Sequence, residues 1–149
     1  MTTDSDPTRV AFVCVRNAGR SQMATGFAER ERTGRSLAES VAIVTGGTDP
    51  AEHVHDVVAT AMDEVGIDLA DRVPRLITPE ELESCDIVVT MGCSSLELGV
   101  GQTGLDIREW DLPDPGGQDI ETVREIRETI HEHVLRLFDE LEQEVHASA

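Results

Sequence analysis

The sequence contains no lysine and no tyrosine. Its 12 cationic side chains are all arginines, set against 30 aspartates and glutamates, and the formal charge is −18. No arginine cluster offers the basic footprint that a nucleic-acid backbone or an anionic membrane surface requires, so neither is expected as a partner. There are only three cysteines, Cys14, Cys85 and Cys93. They form no C-x-x-C pair and lie among no histidines at zinc spacing, which excludes a disulfide scaffold and a structural zinc site. No apolar run is long enough to span a bilayer. Residues 1–9 are polar and acidic and lack the basic start and apolar stretch of a secretion signal. A cytoplasmic protein is the expectation. Self-repulsion at this charge density destabilises a compact chain at low salt and is screened at high salt. The composition therefore points to a halophilic source, with an acidic interaction surface as the second explanation.

What is present suits one domain of ordinary size. The chain has 149 residues, 39% of them apolar, enough to bury a core without staples. Residues 1–8 read as a flexible tail and 9–146 as a single domain. Residues 9–14 (RVAFVC), 41–45 (VAIVT), 86–91 (DIVVTM) and 107–110 read as strands. Helical patterns cover residues 20–32, about 50–65 with Pro50 in the first turn, a short turn after Thr78, and the stretch after Asp119. Gly66 is placed to end the second helix. Strands alternating with helices imply an α/β fold, with a four-stranded parallel sheet flanked by helices in three layers. Ligands of such sheets sit outside the carboxyl ends of the strands. Cys14, Cys93 and residues 111–114 all fall at that edge. Cys85 falls at the opposite edge and reads as structural.

The segment Cys14-Val15-Arg16-Asn17-Ala18-Gly19-Arg20-Ser21 carries the chemistry. A strand ends, a small-residue loop turns, and a helix begins. Amides of such a loop can face inward around an oxyanion, and the helix start adds partial positive charge. Arg20 can fork two oxyanion oxygens. The same field favours a thiolate at Cys14, Asn17 tolerates a left-handed backbone, and Ser21 can donate to the sulfur. A thiol nucleophile and an anion clamp five residues apart suit attack on phosphate or arsenate. The departing oxygen then needs a proton. Asp114, between Pro113 and Pro115, is the expected donor, with Asp111 as the alternative. Cys93 is the candidate second thiol, which could release product by forming a disulfide with Cys14. His131 and His133 are two residues apart and do not face one another on a helix, and no metal site is expected.

Taken together, CVRNAGRSQMA (from Cys14), GGTDPAEHVH (from Gly46), GIDL (from Gly66), VVTMGC (from Val88) and WDLPDPGG (from Trp110) resemble the low-molecular-weight protein tyrosine phosphatase superfamily, and within it the thiol-linked arsenate reductases. The resemblance covers nearly the whole chain. It implies Cys14 as nucleophile, Arg20 as oxyanion ligand and Asp114 as general acid. Gln22-Met23-Ala24 looks like the reductase branch, whereas phosphatases of this type tend to carry tyrosines where this chain has Gly116-Gly117. Arg16 stands where related chains have Gly or His and adds charge beside the loop. No cysteine follows Cys93, so a three-cysteine relay is not expected. Some reductases of the group bind potassium near the loop asparagine. Asn17 and Asp68 match that pattern while Thr25 replaces an acid, and the ion is left open.

The first reading is arsenate reduction, with an external thiol reductant, thioredoxin-like, glutaredoxin-like or small, and no other required cofactor. The second is hydrolysis of phosphomonoesters through a Cys14 phosphoenzyme. The third is a non-catalytic oxyanion-binding or interaction module.

Overall fold

A computed structural model describes residues 7–92 and 106–148. Four strands, β1 (Thr8–Cys14), β2 (Val41–Gly47), β3 (Ile87–Met91) and β4 (Asp106–Glu109), form one sheet in the order β2-β1-β3-β4. Every pairing is parallel. Among the described residues there are four helices: α1 (Arg20–Gly34), α2 (Asp56–Asp63), α3 (Pro79–Glu83) and α4 (Ile120–Ser148). Thr8 pairs with Val41, so β1 begins one residue before the expected start of the domain.

The centre of the sheet follows from the alternation of side chains along a strand. In β1, Val10, Phe12 and Cys14 enter the large core with Met23 and Phe27 of α1, Val58 and Met62 of α2, and the apolar face of α4. Ala11 and Val13 point the other way, into a smaller cluster with Leu82, Cys85 and Val88. Both faces of β1 are therefore covered, as parallel sheets require. On α4 the stripe Val123, Ile126, Ile130, Val134, Leu137 and Leu141 is buried, joined by Phe138. Asp119 caps this helix by accepting from the Thr122 amide at 2.9 Å. Thr78 and Glu81 cap α3 reciprocally.

Two expectations are corrected. Residues 50–55 are not helical, and α2 starts only at Asp56. Their amides are drawn to another strand of chain: the amides of Asp49, Ala51 and His55 donate to the carbonyls of Val15, Arg16 and Ala18 at 2.9–3.0 Å. A helix from Pro50 would turn the His55 amide back onto the Ala51 carbonyl and so break its bond to Ala18. Second, β2 runs on through Gly46 and Gly47, which pair with Val13 and Cys14 of β1, and a side chain on either would collide. A β-carbon at Gly46 would lie 2.6 Å from Ile77 Cβ, and one at Gly47 would lie 2.5 Å from the Val15 carbonyl oxygen. Gly66, at φ +81°, closes the turn after α2.

Candidate active site

The loop after β1 is shaped by those same three hydrogen bonds. In a trans peptide the N–H points opposite the preceding C=O, and the described chain has no cis bond. Carbonyls of Val15, Arg16 and Ala18 face residues 49–55, so the amides of Arg16, Asn17 and Gly19 face the other way. The Asn17 amide accordingly donates to Cys14 Sγ at 3.2 Å. The loop feeds into α1, whose start carries no capping side chain and no acid in its first turn. Its first amides and the helix dipole thus remain directed at the same concavity.

Beneath the loop lies a buried polar network centred on Asn17, which holds φ +52°. Its Nδ2 donates to Ser21 Oγ at 2.7 Å and Thr45 Oγ1 at 2.9 Å. Its Oδ1 accepts from Gln22 Nε2 and from the Arg75 amide, both at 3.1 Å. Thr45 in turn donates to the Phe12 carbonyl. Ser21 Oγ sits 3.0 Å from Cys14 Sγ. With Asn17 already donating to that oxygen, the Ser21 proton is left to point at sulfur. A Cys14 thiolate would therefore receive two hydrogen bonds, from Ser21 and from the Asn17 amide. Cys14 is 3% exposed, so the sulfur meets ligands only through the loop's mouth.

Arg20 closes the other side. Its Nη1 donates to the Leu112 carbonyl at 2.9 Å, tying the guanidinium to the segment that carries Asp114. Gly92, at φ +86°, makes room for it: a β-carbon there would lie 2.5 Å from Arg20 Nη1. Asp114 is exposed, and its Oδ1 accepts from the Gly116 amide at 2.9 Å. Pro115 is laid on the anion loop, with its Cγ 2.7 Å from where a Gly19 β-carbon would be. Asp111 instead lines a cleft of about 330 Å³ with Thr122, Glu125 and Thr129 of α4. Pro115, next to Asp114, thus packs on the anion loop, whereas Asp111 borders α4.

This architecture matches the family model described as low molecular weight phosphotyrosine protein phosphatase over residues 9–147. The chain belongs to that family. A putative arsenate reductase from Halobacterium salinarum is 58% identical over 140 residues, 94% of this chain and 96% of that one. A glutaredoxin arsenate reductase from Synechocystis is 33% identical over 130 residues, 87% and 95% of the two chains. A solved thioredoxin-dependent arsenate reductase from Corynebacterium glutamicum superposes with a TM-score of 0.71 at 28% identity, covering 95% of this chain and 65% of that one. The α/β fold with a four-stranded parallel sheet is that of the low-molecular-weight phosphatase family, and its members here are enzymes of the reductase or the phosphatase kind.

Within this family frame, several residues take positions that sequence reasoning did not reach. Arg16 does not lend its charge to the loop: its Nη1 bonds both the carbonyl and the carboxylate of Asp49, at 3.0 and 2.8 Å. Thr45, Gln22 and the Arg75 amide enter the site through Asn17, and His55 lies between the anion loop and the Asp114 turn. Thr45, His55 and Arg75 carry no local signal, because each arrives from a distant part of the chain, whereas Gln22 lies five residues beyond Asn17. Asn17 Oδ1 already accepts two hydrogen bonds, Thr25 donates to the Ser21 carbonyl, and Asp68 is exposed and receives the Ala70 amide. Cys85 is buried, donates to the Glu81 carbonyl at 3.3 Å, and has its thiol pushed up by that burial, which suits an inert core residue. Cys93 lies outside the described residues. His131 stacks on Phe27 and His133 on Trp110, on separate neighbours. Among the described residues no helix is long and apolar enough to cross a membrane.

Proposed function

We propose that the protein is an arsenate reductase whose nucleophile is Cys14. Arsenate binds to the amides of residues 15–21 (Val15, Arg16, Asn17, Ala18, Gly19, Arg20 and Ser21), with Arg20 forking two of its oxygens. Cys14 Sγ attacks arsenic. An arsenic–oxygen bond breaks as Asp114 gives its proton to the departing hydroxyl, which leaves as water. A second thiol, from Cys93 or from an external donor, then attacks Cys14 Sγ. A sulfur–sulfur bond forms, the sulfur–arsenic bond breaks, and its electron pair stays on arsenic, which departs as arsenite. A thioredoxin-like or glutaredoxin-like dithiol, or a small thiol, reduces the disulfide and restores Cys14.

The observation that carries the reading is the sulfur of Cys14 held 3.0 Å from Ser21 Oγ and 3.2 Å from the Asn17 amide, at the base of a loop whose carbonyls are turned outward. Arsenate rather than a phosphomonoester is supported by the relatives' names and by Gly116-Gly117 after the acid. Thiol chemistry of this kind suits a reducing cytoplasm, and the lysine-free acidic surface supports a halophilic protein. Phosphomonoester hydrolysis through the same loop is the second reading, favoured by the description of the family model.

The test is turnover of the purified chain in molar salt, on arsenate with a thioredoxin or glutathione–glutaredoxin system and on an aryl phosphate. Arsenite formation that is abolished in Cys14→Ser supports the first reading. Loss of arsenate turnover in Cys93→Ser, with aryl phosphate turnover retained, identifies the second thiol. Hydrolysis of the aryl phosphate with no arsenite from either reductant would replace the first reading by the second. Anion binding without turnover would leave a binding module.

A further inference from the structure

We propose that His55 is a positioning residue for Asp114, setting the distance between the acid turn and the anion loop; this rests on Asp114 being the proton donor. The His55 backbone is anchored on the anion loop, its amide donating to the Ala18 carbonyl at 3.0 Å. Its imidazole spans the gap to the acid turn. At one edge of the ring, Cδ2 lies 3.5 Å from the point a Gly19 β-carbon would occupy, the same point that Pro115 Cγ approaches to 2.7 Å. The adjoining Nε2 lies 3.0 Å and Cε1 3.4 Å from the point a Gly116 β-carbon would occupy, and Asp114 Oδ1 lies 3.3 Å from that point. Both loops thus bear a glycine where they meet this ring, and a side chain at either would displace it or the turn.

The contact matters because Gly116 orients the acid. Its amide donates to Asp114 Oδ1, so in the protonated acid the transferable proton resides on Oδ2. The turn holding that amide contains Gly116 and Gly117, the latter at φ +77°, and glycines resist displacement poorly. Residues 49–55, fastened to the loop carbonyls, supply the rigid support. Without the imidazole, Gly116 shifts, and the Asp114 carboxyl that it orients moves with it. Misplacement of a reacting group by about 1 Å costs up to about 100-fold in rate.

The experiment is a double-mutant cycle on arsenate turnover, with inorganic phosphate as competitive inhibitor reporting the anion loop alone. His55→Ala should lower kcat about tenfold while leaving phosphate inhibition within about twofold, since the loop amides are intact. Asp114→Asn should lower kcat about 100-fold, and the double variant should be no slower than Asp114→Asn. His55→Gln, which refills the space near Nε2, should return most of the loss and covers the case in which the alanine variant folds poorly. Multiplying effects in the double variant, or a fall in phosphate affinity parallel to kcat, would overturn the proposal. An unchanged kcat in Asp114→Asn would show separately that the proton-donor reading fails, and the role of His55 with it.

Discussion

Replacing Asn17 is the sharpest test of how the anion loop is held. The side chain is fully buried and uses its whole hydrogen-bonding capacity, two bonds donated and two accepted. Asn17→Ala removes the acceptor for two donors, Gln22 Nε2 and the Arg75 amide. An orphaned buried donor costs about 1–3 kcal/mol. Alanine must also hold φ +52°, which costs a residue with a β-carbon about 1–2 kcal/mol. The Gln22 donor is buried, whereas Arg75 is exposed and water can meet its amide, so the expected loss is about 2–5 kcal/mol, against a total stability of about 5–15 kcal/mol for a domain of this kind. Asn17→Gly keeps the hydrogen-bond loss but removes the backbone strain, so it should be the more stable of the two by about 1–2 kcal/mol. Denaturant unfolding in molar salt measures both, with arsenate kcat measured on whatever fraction folds. Activity should fall further than stability alone explains, because Ser21 Oγ loses the partner that turns its proton toward sulfur. An alanine variant that loses less than about 1 kcal/mol and keeps its kcat would refute the account of the network.

Gly92→Ala should displace the Arg20 guanidinium, weakening phosphate inhibition about tenfold or more, and should cost about 1–2 kcal/mol of stability because alanine must hold φ +86°; unchanged inhibition would mean that Arg20 does not hold the anion. Glu64 is held well below the usual carboxylate range, at about 2, by hydrogen bonds from Arg124 and then Arg127. Its folded value is depressed, so its contribution is complete above about pH 4.5 and is lost as the pH falls toward 2. Glu64→Gln should therefore lower the Tm at pH 7 and not at pH 2, a gap that thermal denaturation reads and that molar salt should narrow. The charge of −18 predicts a Tm that climbs steadily from dilute buffer to molar potassium chloride; full stability in dilute buffer would count against a halophilic protein.

Much of the fold was legible because the signals are local. The apolar run of β1, the stripe of α4, the Thr78–Glu81 cap and Gly66 each act within a turn or two of the residues that show them. The helix expected over residues 50–65 failed in its first turn for a non-local reason. Pro50 is a sound first-turn residue by itself, but the amides of Asp49, Ala51 and His55 are claimed by the carbonyls of Val15, Arg16 and Ala18, far earlier in the chain. Arg16 failed similarly. Its charge is plain in the sequence, but its direction is set by Asp49, which arrives from the far end of β2.

The sequence by itself determined the alternation of strands and helices, the placement of Cys14 and Arg20 around one turn of loop, and the large acidic excess, because periodicity, spacing and charge are properties of neighbours along the chain. Only the tertiary structure decided which way the loop's peptides face, which residue of the acid segment packs on the anion loop, and what surrounds Asn17. Those depend on hydrogen-bond partners supplied by β2, by residues 49–55, by Arg75 and by Leu112. A backbone amide carries no residue type that would announce, before folding, which carbonyl it will meet.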